Sequence, residues 1–253
     1  MELAFSMGWI EAVMLAGVRM TTFIFIAPPF SYNAFPGRIK AMLGLGLALA
    51  VSPQVVPGYV EHELPGFLGA LVMEIVVGAV LGFLVFIVFA AVQSAGSLID
   101  LFGGFQMAQG FDPQAMINGA QFARLFHMTA LALLFASGGY QLIIGGLARS
   151  FTALPIGGGI DLAAPAEAMV HGVTQMFLAS VQIAGPLLVV LFLADAGLGL
   201  LTRVAPALNA FALGFPLKIF LTVSLAAVVF VAMPSVVSSL TGEAVGLLTG
   251  GSR

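Results

Sequence analysis

Cysteine is absent from this chain of 253 residues, which excludes disulfides and thiolate metal sites. Charge is scarce too. Asp, Glu, Lys and Arg make up 8% of the residues, where a soluble domain carries about 25%. The three histidines, His62, His127 and His171, are scattered, with neither HExxH nor His-x₃-His spacing. No phosphate-loop or dinucleotide pattern occurs, and no spacing supports a Ser/His/Asp arrangement. A net charge of −3 leaves no basic surface suited to nucleic acid. The chain therefore reads as non-enzymatic and free of cofactors.

What is present is apolar length. Residues 41–60, 75–99, 125–148, 168–194 and 219–242 contain no charged side chain, and 3–30 holds only Glu11 and Arg19. As a helix, each can cross about 30 Å of hydrocarbon, which takes about 20 apolar residues. Mean hydropathy is +1.13. A transmembrane barrel would instead alternate in segments of about 10 residues. The expected fold class is an all-α membrane protein. It has about six apolar, Gly/Pro-kinked helical stretches packed as hairpins, in a single domain over 1–253.

The expected spans run from about Met7 to Ala27, Ala41 to Tyr59, Phe67 to Val92, Leu125 to Leu147, Met169 to Leu201 and Ala210 to Leu240. Met1 to Trp9 lacks a basic n-region, so the first span is expected to be retained. Gly78-x₃-Gly82 is a helix-packing signature. Pro186 is expected to kink or interrupt the fifth span, and Pro216 and Pro234 the sixth. Arg38, Lys40, Arg124 and Arg203 outnumber Arg149 and Arg253 on the opposite side, which puts both termini outside the cytoplasm if all six stretches cross.

Four ionisable groups fall inside the spans: Arg19, Glu74, Asp195 and Lys218. Each costs about 2.5–3.5 kcal/mol at a bilayer centre. They serve either as a proton or ion relay or as packing glue between helices. His127 reads as an interfacial histidine ahead of a functional switch. Residues 93–124 break the apolar pattern, being rich in Gly, Gln, Asp and Asn while keeping Phe102, Phe105, Met107, Phe111, Met116 and Phe122. An irregular segment of this kind must be buried in protein or line a cavity. It is either a deformable hydrophobic constriction, since methionine fills irregular gaps, or a loop packed on span ends.

Specific strings narrow the choice. Residues 198–209, Leu-Gly-Leu-Leu-Thr-Arg-Val-Ala-Pro-Ala-Leu-Asn, and 211–218, Phe-Ala-Leu-Gly-Phe-Pro-Leu-Lys, closely resemble the FliR family, membrane components of the flagellar type III export gate. Ala27-Pro28 with Pro36-x-Arg38, Phe111-Asp112-Pro113 and Leu154-Pro155-Ile156-Gly157 match in order and spacing. The resemblance covers essentially the whole chain, and the injectisome counterparts are related. It implies a non-enzymatic subunit of the bacterial inner membrane at the flagellar basal body. The subunit assembles with FliP-like and FliQ-like partners, joined by FlhB-like and FlhA-like export proteins, and passes unfolded flagellar subunits.

The resemblance also favours the constriction reading, with Phe105, Met107, Phe111 and Met116 as a pore plug within Gly103–Gln121. Leu154, Pro155, Gly157, Arg203, Pro206, Asn209, Gly214, Phe215, Pro216 and Lys218 become its structural and assembly motif. Pro206 would fix a tight turn, and Arg203 would cap carbonyls at the end of the fifth span. Helices of such a gate are partly lifted out of the bilayer, so six apolar stretches need not mean six crossings. The rival reading is a stand-alone small-solute transporter or channel. That would show paired broken helices in both halves, and the first half has no pair to match Pro186 and Pro216.

Overall fold

The computed structural model describes residues 6–32, 35–105, 121–157, 163–205 and 210–249. Among them are seven α-helices and no strand: α1 (Met7–Ile26), α2 (Gly37–Val55), α3 (Leu64–Phe102), α4 (Gln121–Ala136), α5 (Gly139–Ala153), α6 (Ala163–Val204) and α7 (Ala210–Leu248). The helix ends follow local chemistry. The Ser6 side chain accepts from the Trp9 N–H at 3.2 Å and caps α1. Ala27 turns extended ahead of Pro28, and Leu154 leaves the helix ahead of Pro155, because the residue before proline disfavours helical geometry. Lys40 Nζ donates to the Ser31 carbonyl at 2.9 Å and so ties down the turn between α1 and α2.

By length and composition, α1, α3, α6 and α7 can cross a membrane, and the bent pair α4–α5 adds a fifth crossing if it counts as one span. The six apolar stretches expected are therefore not six crossings by this measure, among the described residues. α2 is not among the candidates; its first turn holds Arg38 and Lys40, and its end holds Pro53. The expected span from Leu125 to Leu147 is two helices. Gly138 between them has φ +72°, which glycine adopts without the usual penalty. Helix reaches into both sides of the 93–124 stretch, since α3 continues to Phe102 and α4 begins at Gln121. Polarity there does not break the helix; Ser97 Oγ returns its proton to the Gln93 carbonyl at 3.2 Å. Pro186, Pro216 and Pro234 also lie inside α6 and α7 without ending either helix.

The chain forms two compact units. The first comprises 1–88, 134–173 and 240–253. Its core is built on α1, where Ala12, Leu15, Ala16, Met20 and Phe23 are fully enclosed. The Gly78-x₃-Gly82 signature works here as a close approach. A Cβ on Gly78 would lie 2.5 Å from the Arg19 carbonyl oxygen, and one on Gly82 would lie 3.2 Å from that of Phe23. On the other side of α1, a Cβ on Gly44 of α2 would run into Thr21. Gly78→Ala is expected to lower the amount of assembled chain, because overpacking costs about 1–3 kcal/mol. Gly69→Ala, at a position with open space around it, should be silent. Equal levels of the two variants in membranes would contradict this packing.

The second unit comprises 89–133 and 174–239. Its core takes Val92, Ala95 and Ile99 from α3, Phe126 from α4, Leu187 and Leu191 from α6, and Met233 from α7. The outer faces stay apolar. Only 22% of the most apolar stretch of α6, and likewise of α7, is buried, against 61% for α3.

Candidate functional site

Arg19 is a span residue without any exposure, and its whole head group is committed. Nε donates to Glu74 Oε2 at 2.5 Å and Nη2 to Oε1 at 3.0 Å, a two-pronged pair that suits the planar guanidinium. Nη1 donates to the Leu154 carbonyl at 2.9 Å, and the guanidinium lies 4.2 Å from the centroid of the Phe151 ring. One side chain on α1 thus holds α3 and the end of α5. Of the two readings open for Arg19 and Glu74, these fixed partners are those of packing glue.

A polar cluster gathers at the start of α1 within the same unit. Glu11 Oε2 accepts from the Tyr59 hydroxyl at 3.1 Å and from the His62 N–H at 3.4 Å. The Tyr59 hydroxyl also lies 3.2 Å from His62 Nδ1. Glu61 Oε1 accepts from the Gly8 N–H at 2.8 Å. Burial first, then the bond to Glu11 and the charges of Glu11 and Glu61, push the Tyr59 phenol up to about 12. The phenol is therefore a neutral donor throughout the physiological range. Its contribution to stability is present below about pH 10 and is lost as pH rises towards 12. Gly157, at φ +74°, sits over the His62 ring; a Cβ there would meet Cε1 at 3.0 Å. The Leu154–Gly157 motif therefore has two contacts, Leu154 with Arg19 and Gly157 with His62.

The second unit carries the remaining motifs. Gly104 has φ +81° and packs on Phe215. Gly214 lets α7 approach Leu198 of α6. Lys218 Nζ binds Asp195 Oδ1 at 2.7 Å, and both side chains are partly exposed. Phe215, Pro216, Ile219, Phe220 and Val223 line an open apolar groove of about 600 Å³. Phe105 meets Phe122 edge to face at 5.1 Å, and the series continues through Phe126 to Phe230. Asp100, wholly buried, accepts from the Phe122 and Ala123 N–H groups at 3.0 Å each.

Several expected site residues therefore have definite neighbours: Phe105, Leu154, Gly157, Gly214, Phe215, Pro216 and Lys218. Arg203 is exposed in the last turn of α6, where a cation suits the helix dipole. Met107, Phe111, Met116, Pro206 and Asn209 lie outside the described residues. Sequence reasoning missed the pairing of the four span charges, although two bases and two acids at membrane depth already hinted at it. It also missed Asp100, whose signal was a lone carboxylate at the edge of an apolar run. No group of three or more His, Asp or Glu that could hold a metal occurs among the described residues.

The profile of a family described as bacterial export proteins, family 1, matches residues 10–244. Over 225 residues the chain is 33% identical to the flagellar biosynthetic protein FliR of Escherichia coli (strain K12), covering 87% of this chain and 85% of that protein. It is 30% identical over 218 residues to FliR of Bacillus subtilis (strain 168), covering 82% of each. It is 29% identical over 213 residues to the Yop proteins translocation protein T of Yersinia pestis, covering 79% of this chain and 82% of that one.

Proposed function

The chain belongs to the bacterial export proteins, family 1, and from that premise we propose that it serves the flagellar form of the type III export gate in the bacterial inner membrane. It is an apolar, all-helical component of a protein export apparatus. The observation that carries the flagellar reading is 33% identity to a flagellar biosynthetic protein along 87% of the chain. Its partners in this reading are FliP-like and FliQ-like gate subunits, with FlhB-like and FlhA-like export proteins. Its cargo is unfolded flagellar protein, and it performs no catalysis of its own.

Two structural features support such a role. The faces of α6 and α7 are apolar and largely uncovered, as a subunit held among other helices requires. Phe105 opens the connection between α3 and α4 and joins an aromatic series, which suits a hydrophobic seal that works by excluding water. In this reading Phe105, Met107, Phe111 and Met116 close the resting pore, and the 154–157 and 203–218 motifs hold the subunit in the gate.

Cells lacking the chain are expected to be non-motile and to release no hook or filament protein, with both restored by the wild-type gene. The measurement is immunoblotting of culture supernatants. Undiminished release of flagellar proteins without the chain would rule out the flagellar role.

A further inference from the structure

We propose that the groove between α1, α2 and α3 holds an acyl chain of an anionic phospholipid, whose phosphate is taken by Arg38 at the start of α2. The proposal stands apart from the flagellar reading, since it concerns the membrane and not the cargo. It begins with how α1 and α2 run. A Cβ on Gly37 would lie 3.5 Å from the Phe25 ring, one on Gly44 would run into Thr21, and one on Gly17 would lie 3.8 Å from the Ala48 Cβ. Numbers fall along α1 as they rise along α2, so the two helices are antiparallel neighbours. Beside them lies an open groove of about 370 Å³, walled by Met14, Val18 and Thr21 of α1, Leu45 of α2 and Ile75 of α3. Met14, Leu45 and Ile75 are exposed, and none of the residues that line the groove is charged.

Charge gathers at one end of this groove. Arg38, Met42, Leu45 and Leu49 follow at i, i+4, i+7 and i+11, which is one face of a helix, and all four are exposed. Arg38 therefore heads the apolar face that leads into the groove, and it forms no ion pair among the described residues. Lys40 adds a second cation nearby. It is buried, bound to the Ser31 carbonyl and set over the Phe25 ring, and it too lacks an ion pair among the described residues. The first turn of α2 holds no acid, so the positive end of the helix dipole adds to both cations. An anion at Arg38 answers all three.

Depth points to a lipid as its bearer. From Arg38 to Leu45 is seven residues, about 10.5 Å of helix, and Leu49 lies about 16.5 Å along. One leaflet of hydrocarbon is about 15 Å thick, half of a core of about 30 Å. A phosphate at Arg38 thus sets the methylenes of its chain beside Met42 and Leu45, with the chain's end near Leu49.

The test uses the complete complex that holds this chain, extracted from its own membrane in mild detergent. Phosphatidylglycerol and phosphatidylcholine are each titrated into it, and retained lipid is read by native mass spectrometry. The wild type should hold phosphatidylglycerol the tighter. Arg38→Gln should weaken phosphatidylglycerol about fivefold, the worth of one cation near an anionic headgroup, and leave phosphatidylcholine unchanged. Arg38→Lys should keep most of the preference. Leu45→Trp, which fills the groove with an indole, should weaken both lipids. Both positions are exposed, so the variants should enter the complex at wild-type levels. Equal retention of the two lipids by the wild type overturns the proposal. So does an effect at only one of the two positions, since a single lipid must engage both. If Arg38→Gln fails to accumulate, Leu45→Trp decides, and unchanged retention overturns the proposal. A photo-reactive side chain at position 45 should crosslink to lipid; a crosslink to a protein subunit instead would place a partner helix in the groove and overturn it as well.

Discussion

Arg19→Ala is expected to remove most of the chain from the membrane. The reason is the company Arg19 keeps. Its removal leaves Glu74 buried without a counter-charge and the Leu154 carbonyl without a donor. Breaking one side of a buried pair costs roughly 3–5 kcal/mol, against a total stability of about 5–15 kcal/mol for a typical domain. Glu74→Gln should be nearly as damaging, since it strands the guanidinium instead. The double change Arg19→Met with Glu74→Met should recover much of the loss, because an apolar pair of similar size avoids desolvation altogether. Membrane levels of the three variants decide the matter. If the double variant is as poor as either single one, the charge of the pair does something beyond joining α1, α3 and α5, and the relay reading returns.

The second large effect concerns the chain on its own. Produced without gate partners, it should aggregate or be degraded. Val204 and Val231 are 85% and 84% exposed, and Phe177, Phe192 and Phe220 are exposed as well. Lipid can cover part of this surface but not all of it. α6 has 42 residues and α7 has 39, contours of about 63 and 58 Å at 1.5 Å per residue, roughly twice the hydrocarbon thickness. Protein must cover the remainder. Partners present at about 100 times their dissociation constant stabilise a bound subunit by roughly 2.7 kcal/mol. Co-production with FliP-like and FliQ-like subunits should therefore give a soluble, monodisperse species in detergent. A lone chain that is monodisperse and unfolds in one transition would contradict this.

Both predictions draw on features that differ in how far the sequence disclosed them. The helical class was plain, because uncharged runs of 20 and more residues have one economical solution in lipid. Gly78-x₃-Gly82 was legible as a contact, though not that its neighbour would be the Arg19 backbone. Helix lengths were misjudged wherever proline or polar residues were taken as breaks. Pro186, Pro216 and Pro234 stay inside long helices, since neighbouring groups and local adjustment can satisfy the freed carbonyls in an apolar setting. The break at Gly138 went unread because hydropathy is blind to a single positive φ. Arg19 and Glu74 were visible as expensive residues, but 55 positions separate them, and local spacing cannot reveal a partner at that distance.

The most direct measurement is the composition of the particle that holds this chain in its own membrane. A tagged chain, extracted in mild detergent and weighed by native mass spectrometry, should emerge in a complex several times its own mass. That complex should contain at least two other kinds of apolar, helical membrane protein. Recovery as a monomer, or as copies of itself alone, would contradict the proposal that it is a subunit of a hetero-oligomeric export gate.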